Sequence, residues 1–152
     1  MRAMSNFPSH QQNVLTQAQI RALIPHHGAM CLLEQVLRWD ADAIECQASS
    51  HRDTANPLRR DGLLPVSAGI EYAAQAMAVH GGLVEPGAKP RSGYLAILTN
   101  VAWSVARLDD CGETLRVRAE RLAVIATGSQ YAFRVYDGVR LLLAGEAVIA
   151  LV

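Results

Sequence analysis

The chain has 152 residues, 51% hydrophobic and 18% charged, enough apolar material for one sizeable core. Fourteen basic and fourteen acidic residues give a formal net charge of zero, which excludes recruitment of nucleic acid or an anionic membrane by a global field. Cys31, Cys46 and Cys111 are odd in number, widely spaced and set among apolar residues, the pattern of reduced core thiols in a cytoplasmic protein rather than a disulfide framework.

Residues 1–15 read as a flexible N-terminal segment, and residues 16–152 as a single domain. MRAMSNFPSH has no signal-peptide apolar run, and the apolar stretch near the C-terminus is interrupted by Glu146, so no membrane insertion is expected. Thr16 to Gln19 has capping-box spacing ahead of Ile20, Leu23 and Ile24, predicting a short helix ended by Pro25. Met30 to Trp39 and Ile44 to Ser49 form a strand pair across the Asp40-Ala41-Asp42 turn, and His51 to Leu64 is an exposed loop. Pro65 to Gly82 then predicts one buried helix, with Ser67 able to cap its first turn and Gly81-Gly82 to end it. After the turn-rich VEPGAKPRSG connection, alternation takes over. Tyr94 to Val105 gives one strand or two. Leu115 to Glu120, Tyr131 to Tyr136 and Val139 to Leu151 follow, the last two joined by a hairpin signal at Asp137-Gly138. The order is an α+β pattern: a curved antiparallel β-sheet wrapped around a long central α-helix.

Glu71 is the only acidic or basic residue between Asp61 and Glu85, on a helix of small apolar side chains where an unpaired charge is costly. Gln75, four residues on, shares its face. One reading makes Glu71 a subunit-interface carboxylate paired with Arg52 or Arg91; the other makes it catalytic. His51 ends a predicted strand and opens the loop that leads to this helix, a place from which an imidazole can be aimed. His26 and His27 lack a third ligand at metal spacing and read as structural or solvent-facing, so no metal site is expected. His80, nine positions after Glu71, falls on the opposite side of the helix. Cys31 reads as core, and the chain carries no GxSxG, phosphate loop or dinucleotide fingerprint.

With these residues in view, Ile24 to Val36, IPHHGAMCLLEQV, resembles the IPHR-type segment before the first strand of hotdog-fold β-hydroxyacyl-acyl carrier protein dehydratases. His51, Pro65 and Glu71-Tyr72-Ala73-Ala74-Gln75 match the family's strand-end histidine, helix-start proline and E-x-x-A-Q pattern, and Ser92 to Ala96 resembles its next strand. The likeness covers about residues 17 to 151. His51-Arg52-Asp53-Thr54 replaces the usual His-Phe-Pro-Gly, and Val66 stands where the family has glycine. These departures resemble the aryl-polyene and polyketide-associated branch rather than the housekeeping fatty-acid enzyme.

The resemblance implies a lyase, a 3-hydroxyacyl-acyl carrier protein dehydratase that forms the trans-2-enoyl thioester without cofactor. Neutral His51 would take the α-proton, and Glu71, kept protonated by an apolar site, would donate to the departing hydroxyl. Val66 and Ser67 amides would hold the enolate oxygen at the helix start, with Gln75 and Tyr94 in the substrate site. It further implies a homodimer or higher oligomer, including a hetero-oligomer with another hotdog subunit. The histidine of one subunit would face the acid of its neighbour, with Arg59, Arg60 or Arg91 docking the carrier protein. Two alternatives stand beside it: a hotdog acyl thioesterase, and a non-catalytic hotdog subunit partnering a second dehydratase, favoured by Val66 and the altered His51 context.

Overall fold

The computed structural model describes residues 14–85 and 93–151. Residues 1–13 of the expected loose segment, residues 86–92 of the VEPGAKPRSG connection and the candidate Arg91 lie outside them. Among the described residues, strand-like pairing starts at Leu15, whose amide and carbonyl both exchange hydrogen bonds with Val36 at 3.0 Å.

Helix α1 spans Gln17–Leu23 and opens with the expected capping box, Thr16 accepting from the Gln19 amide while the Gln19 side chain accepts from the Thr16 amide. Strand β1, Gln35–Trp39, is shorter than the predicted Met30 to Trp39. Gly28, at φ +57°, starts a single 3-10 turn through Met30 instead. Strand β2 is Ala43–Ala48, and the Asp40 carboxylate shapes the turn before it by accepting from the Asp42 and Ala43 amides at 2.8 Å each.

Helix α2, Ala68–Val84, is the long central helix, but both predicted end signals act differently. Ser67 makes no side-chain cap; Pro65, Val66 and Ser67 carbonyls accept from the Ala68, Gly69 and Ile70 amides, a tight 3-10 start. Gly81 and Gly82 do not stop the helix, because Gly82 lies against Leu23 of α1, and a glycine lets the two helices touch.

Strands β3 (Gly93–Trp103), β4 (Leu115–Ile125), β5 (Gly128–Asp137) and β6 (Arg140–Leu151) complete one six-stranded antiparallel sheet in the order β1-β2-β4-β5-β6-β3. The β5–β6 hairpin turns one residue later than the Asp137-Gly138 signal suggests. Asp137 pairs with Arg140, leaving Gly138 at φ +58° and Val139 as the loop.

One hydrophobic core joins α2 to the sheet. Ala73, Ala76, Met77 and Val79 of the helix are buried together with Val117, Ala119, Phe133, Val135 and Leu143 of the strands. Small helix residues permit that approach: a Cβ on Gly69 would come 2.7 Å from Leu143 Cδ2. This is the hotdog arrangement, and it leaves two surfaces uncovered. Ile70, Ala74, Ala78 and Gly81 of α2 are only half-buried. The edge strand β3 exposes Tyr94, Ile97, Leu98 and Trp103. No helix among the described residues is long and apolar enough to cross a membrane.

Candidate active site

Glu71 is the fourth residue of α2, on the first turn, and about a third of its side chain is exposed. It is therefore not the enclosed apolar-site carboxylate that the sequence suggests. Among the described residues its partner is not Arg52 but His26, whose Nε2 lies 3.1 Å from Glu71 Oε1. His26 reaches it because α1 ends before Pro25 and the Gly28–Met30 turn folds the following segment across the start of α2. His26 Nδ1 is enclosed and has no hydrogen-bond partner among the described residues, so Nε2 is the working nitrogen of this ring.

Gln75 ties the two elements together. Fully buried, it donates from Nε2 to the Met30 carbonyl at 2.7 Å and accepts on Oε1 from the Leu32 amide at 2.9 Å, with Nε2 also 3.5 Å from Glu71 Oε1. Both ends of the amide are thus spent on protein, and the side chain reaches no solvent. Expected as a substrate contact, Gln75 acts here as the brace between the His26 segment and the Glu71 helix.

A cleft of about 290 Å³ opens beside Glu71, lined by Met30, Leu58, Arg60, Pro65, Ser67 and Ala68. Of the two amides expected for an oxyanion, that of Val66 already donates to the Ala106 carbonyl at 3.0 Å. The Ser67 amide has no backbone acceptor among the described residues and sits where the helix dipole favours negative charge. Tyr94 lines no part of this cleft; it stands exposed on β3, paired with Ala150.

His51 is elsewhere. It lies in the 3-10 turn Ser50–Arg52 with no exposed surface, its Nε2 2.6 Å from the Gly112 carbonyl. A carbonyl only accepts, so Nε2 carries the proton and Nδ1 is the unprotonated nitrogen, enclosed without a partner among the described residues. Burial pushes the pKa of the imidazole down, followed by the opposing effect of the Gly112 bond. The lone pair of that nitrogen is sealed inside the chain. Gly112 is fixed in turn by its N–H, which donates to Asp137 Oδ2 at 3.0 Å, and a Cβ there would lie 2.5 Å from Asp137 Oδ1. The loop beyond His51 is held to α2 by Tyr72, whose hydroxyl is 2.7 Å from Ser50 Oγ and accepts from Asn56 Nδ2 at 3.1 Å.

His80 is on the far side of α2, as its spacing requires. Nε2 donates to the Asp40 carbonyl at 2.8 Å and Nδ1 accepts from the Tyr131 hydroxyl at 2.7 Å, so it is a satisfied core histidine. Read from sequence as structural or solvent-facing, His26 was not placed beside Glu71, because pairing with a residue 45 positions away has no periodic signal; the Pro-His-His-Gly turn next to a family-like strand was the available clue.

The model of the ApeP-like family, ApeP dehydratase, matches residues 18–150. No match is found among curated protein sequences. Among solved structures, a chain of the dehydratase heterocomplex ApeI:P from Xenorhabdus doucetiae is similar at 25% identity and TM-score 0.77, over 88% of this chain and 90% of that one. A thioesterase from Haemophilus influenzae is similar in fold at 12% identity and TM-score 0.64, over 93% and 94% of the two chains. A mutant thioesterase from Pseudomonas aeruginosa is similar in fold at 15% identity and TM-score 0.62, over 95% and 99%. The family match spans the sheet as far as residue 150, α2 and the Glu71–His26 pair, and on that match the chain belongs to the ApeP-like dehydratase family.

Proposed function

We propose that the protein is a cytoplasmic enzyme that dehydrates a 3-hydroxyacyl thioester, carried on acyl carrier protein, to the trans-2-enoyl thioester. The observation that carries this reading is the Glu71–His26 pair beside a cleft whose rim holds the unengaged Ser67 amide. Elimination needs a base at Cα, a proton for the departing oxygen and a donor for the enolate. His26 Nε2–H holds the Glu71 carboxylate in place. Glu71 takes the Cα proton, charge gathers on the thioester oxygen at the Ser67 amide, and the Cα–Cβ double bond forms as the C3–O bond breaks. The same carboxyl group returns its proton to the departing hydroxide, which leaves as water, and the carboxylate is restored. His26 replaces His51 as the imidazole of the site, and it works through Glu71, since its second nitrogen is enclosed.

The reading includes a partner chain of hotdog type. Exposed Leu98 and Trp103 on β3 and the half-buried Ile70-Ala74-Ala78 stripe of α2 are apolar surfaces that a second subunit, identical or related, would cover. The heterocomplex named for the similar structure supports a related one. Of the expected docking arginines, Arg60 is exposed at the cleft, whereas the Arg59 guanidinium is turned into its own loop. A second reading, a non-catalytic subunit, is favoured by the sealed His51 and the engaged Val66 amide. The deciding experiment is turnover of a 3-hydroxyacyl carrier-protein thioester, read by loss of water in the mass of the acyl group. Glu71→Gln should lower it on the order of 10² or more, with folding and assembly intact. A folded Glu71→Gln protein working at nearly the normal rate would reject catalysis by this site.

A further inference from the structure

The wall of the cleft opposite α2 comes from the loop of residues 51–64, which supplies Leu58 and Arg60. Little apolar burial holds this loop. Arg52, Asp53, Thr54, Ala55, Pro57 and the run from Arg60 to Leu63 are exposed, and only His51, Asn56 and Leu64 are buried within it. Its return is a tight turn, with Asp61 at φ +52° and Gly62 at φ +76° between the mutually bonded Arg60 and Leu63. Its shape therefore rests on hydrogen bonds, and one side chain makes three of them.

Arg59 donates from Nε to the Asp53 carbonyl at 2.8 Å, from Nη2 to the His51 carbonyl at 3.3 Å and from Nη1 to the Gly62 carbonyl at 2.8 Å. The first two acceptors are on the outgoing arm and the third is on the returning arm, so the guanidinium staples the loop across its width. Asp109, in the connection between β3 and β4, anchors that staple. Its carboxylate accepts from the Leu64 amide at 2.8 Å and from Arg107, and lies 3.9 Å from Arg59 Nη1. The Arg59 and Asp109 side chains are only 14% and 6% exposed, which takes this cluster out of the class of solvated surface charges.

We propose that Arg59 is a positioning residue for the cleft: by bridging both arms of the 51–64 loop and docking on Asp109, it sets Leu58 and Arg60 as a rigid wall that orients the pantetheine-linked thioester against Glu71. This rests on the reading of the cleft as the thioester site. Glu71, His26 and Gln75 are held by α2 and the 26–32 segment, with no bond to Arg59, so loosening the wall leaves the reacting carboxyl group in place. Binding is then weakened while the chemical step is spared. The guanidinium spreads its N–H donors over three nitrogens and so reaches both arms, whereas the three donors of a lysine ammonium share one atom, so lysine replaces the charge but not the staple.

The test uses the full chain with Arg59→Met and Arg59→Lys, and a saturated acyl-pantetheine thioester, without a 3-hydroxyl, as a probe that binds and cannot eliminate. Expected are faster amide exchange confined to residues 51–64, about tenfold weaker probe binding for Arg59→Met from re-ordering a freed loop, and a smaller loss for Arg59→Lys. In turnover the change should appear in KM, with kcat within about threefold. If Arg59→Met does not fold, Arg59→Lys supplies the comparison. Unchanged probe affinity, despite faster loop exchange, overturns the positioning role. Equal falls in kcat and kcat/KM with unchanged binding also overturn it. A wild-type protein that binds the probe but eliminates nothing removes the dehydratase reading alone, and the affinity ratio still decides the role of Arg59. A wild-type protein that does not bind removes both.

Discussion

Replacing Gln75 with leucine separates the brace from the chemistry it serves. The change keeps side-chain volume close and deletes two hydrogen bonds at once, leaving the Leu32 amide and the Met30 carbonyl without their partner. Each orphaned buried group costs about 1–3 kcal/mol, and the Met30 carbonyl, at the half-buried edge of the cleft, falls at the low end by taking up water. Leucine in a fully buried position returns about 1 kcal/mol of apolar transfer. The net loss is about 1–3 kcal/mol, which for a chain of this size lowers Tm by roughly 3–9 °C. Urea unfolding with a constant slope measures it. Function should fall further than stability alone explains, because the His26 segment is no longer tied to α2 and the 3.1 Å Glu71–His26 bond loses its frame. Turnover well below the unfolding midpoint should drop about tenfold, the scale of a misplaced catalytic group. Gln75→Glu is the companion: it keeps the acceptor for Leu32 but sets a carboxylate against the Met30 carbonyl and Glu71, and should lose comparable stability. A Gln75→Leu protein within 0.5 kcal/mol of wild type and within about twofold in rate would refute the bracing argument.

His51 and His80 both have pKa values pushed down by burial, so the unfolded chain binds more protons than the folded one. Their stability contribution is complete above the unfolded pKa of about 6.5 and is lost as pH falls below it, by up to about 1.4 kcal/mol per pH unit for each histidine. Urea midpoints that stay flat between pH 7.5 and 5.5 would contradict this. Tyr131→Phe removes the hydroxyl that His80 Nδ1 accepts from and should cost about 1–2 kcal/mol at neutral pH, seen as a lower urea midpoint. Mixing Glu71→Gln with His26→Ala protein should restore no activity on subunit exchange, because the pair lies within one chain; recovery would move the catalytic pair to the interface. Leu98→Lys on the exposed edge strand should lower the sedimentation coefficient by dissociating the proposed assembly while leaving the monomer folded, since Leu98 is not part of the core.

Much of the architecture was legible because it depends on local pattern. Capping-box spacing at Thr16, alternation from Leu115 onward and the small-residue run from Ala68 to Val79 each state which face is buried, and the sheet and helix follow. The position of Glu71 as a lone charge on that helix was equally plain. Element ends were not, since they answer to neighbours: Gly82 continues α2 because Leu23 packs on it, and Gly138 begins its loop because Asp137 pairs with Arg140. Which histidine lies beside Glu71 was beyond sequence for the same reason. His51 and His26 are both imidazoles next to loops, and family-like spacing favoured the first. The three-dimensional path of the chain turns His51 onto the Gly112 carbonyl and seals it, while the Gly28 turn, braced by Gln75, lays His26 against Glu71. A residue's type fixes the chemistry open to it, and spacing fixes its face on a helix or strand. Which nitrogen keeps a usable lone pair is decided by atoms tens of residues away, and only the folded chain brings those atoms into place.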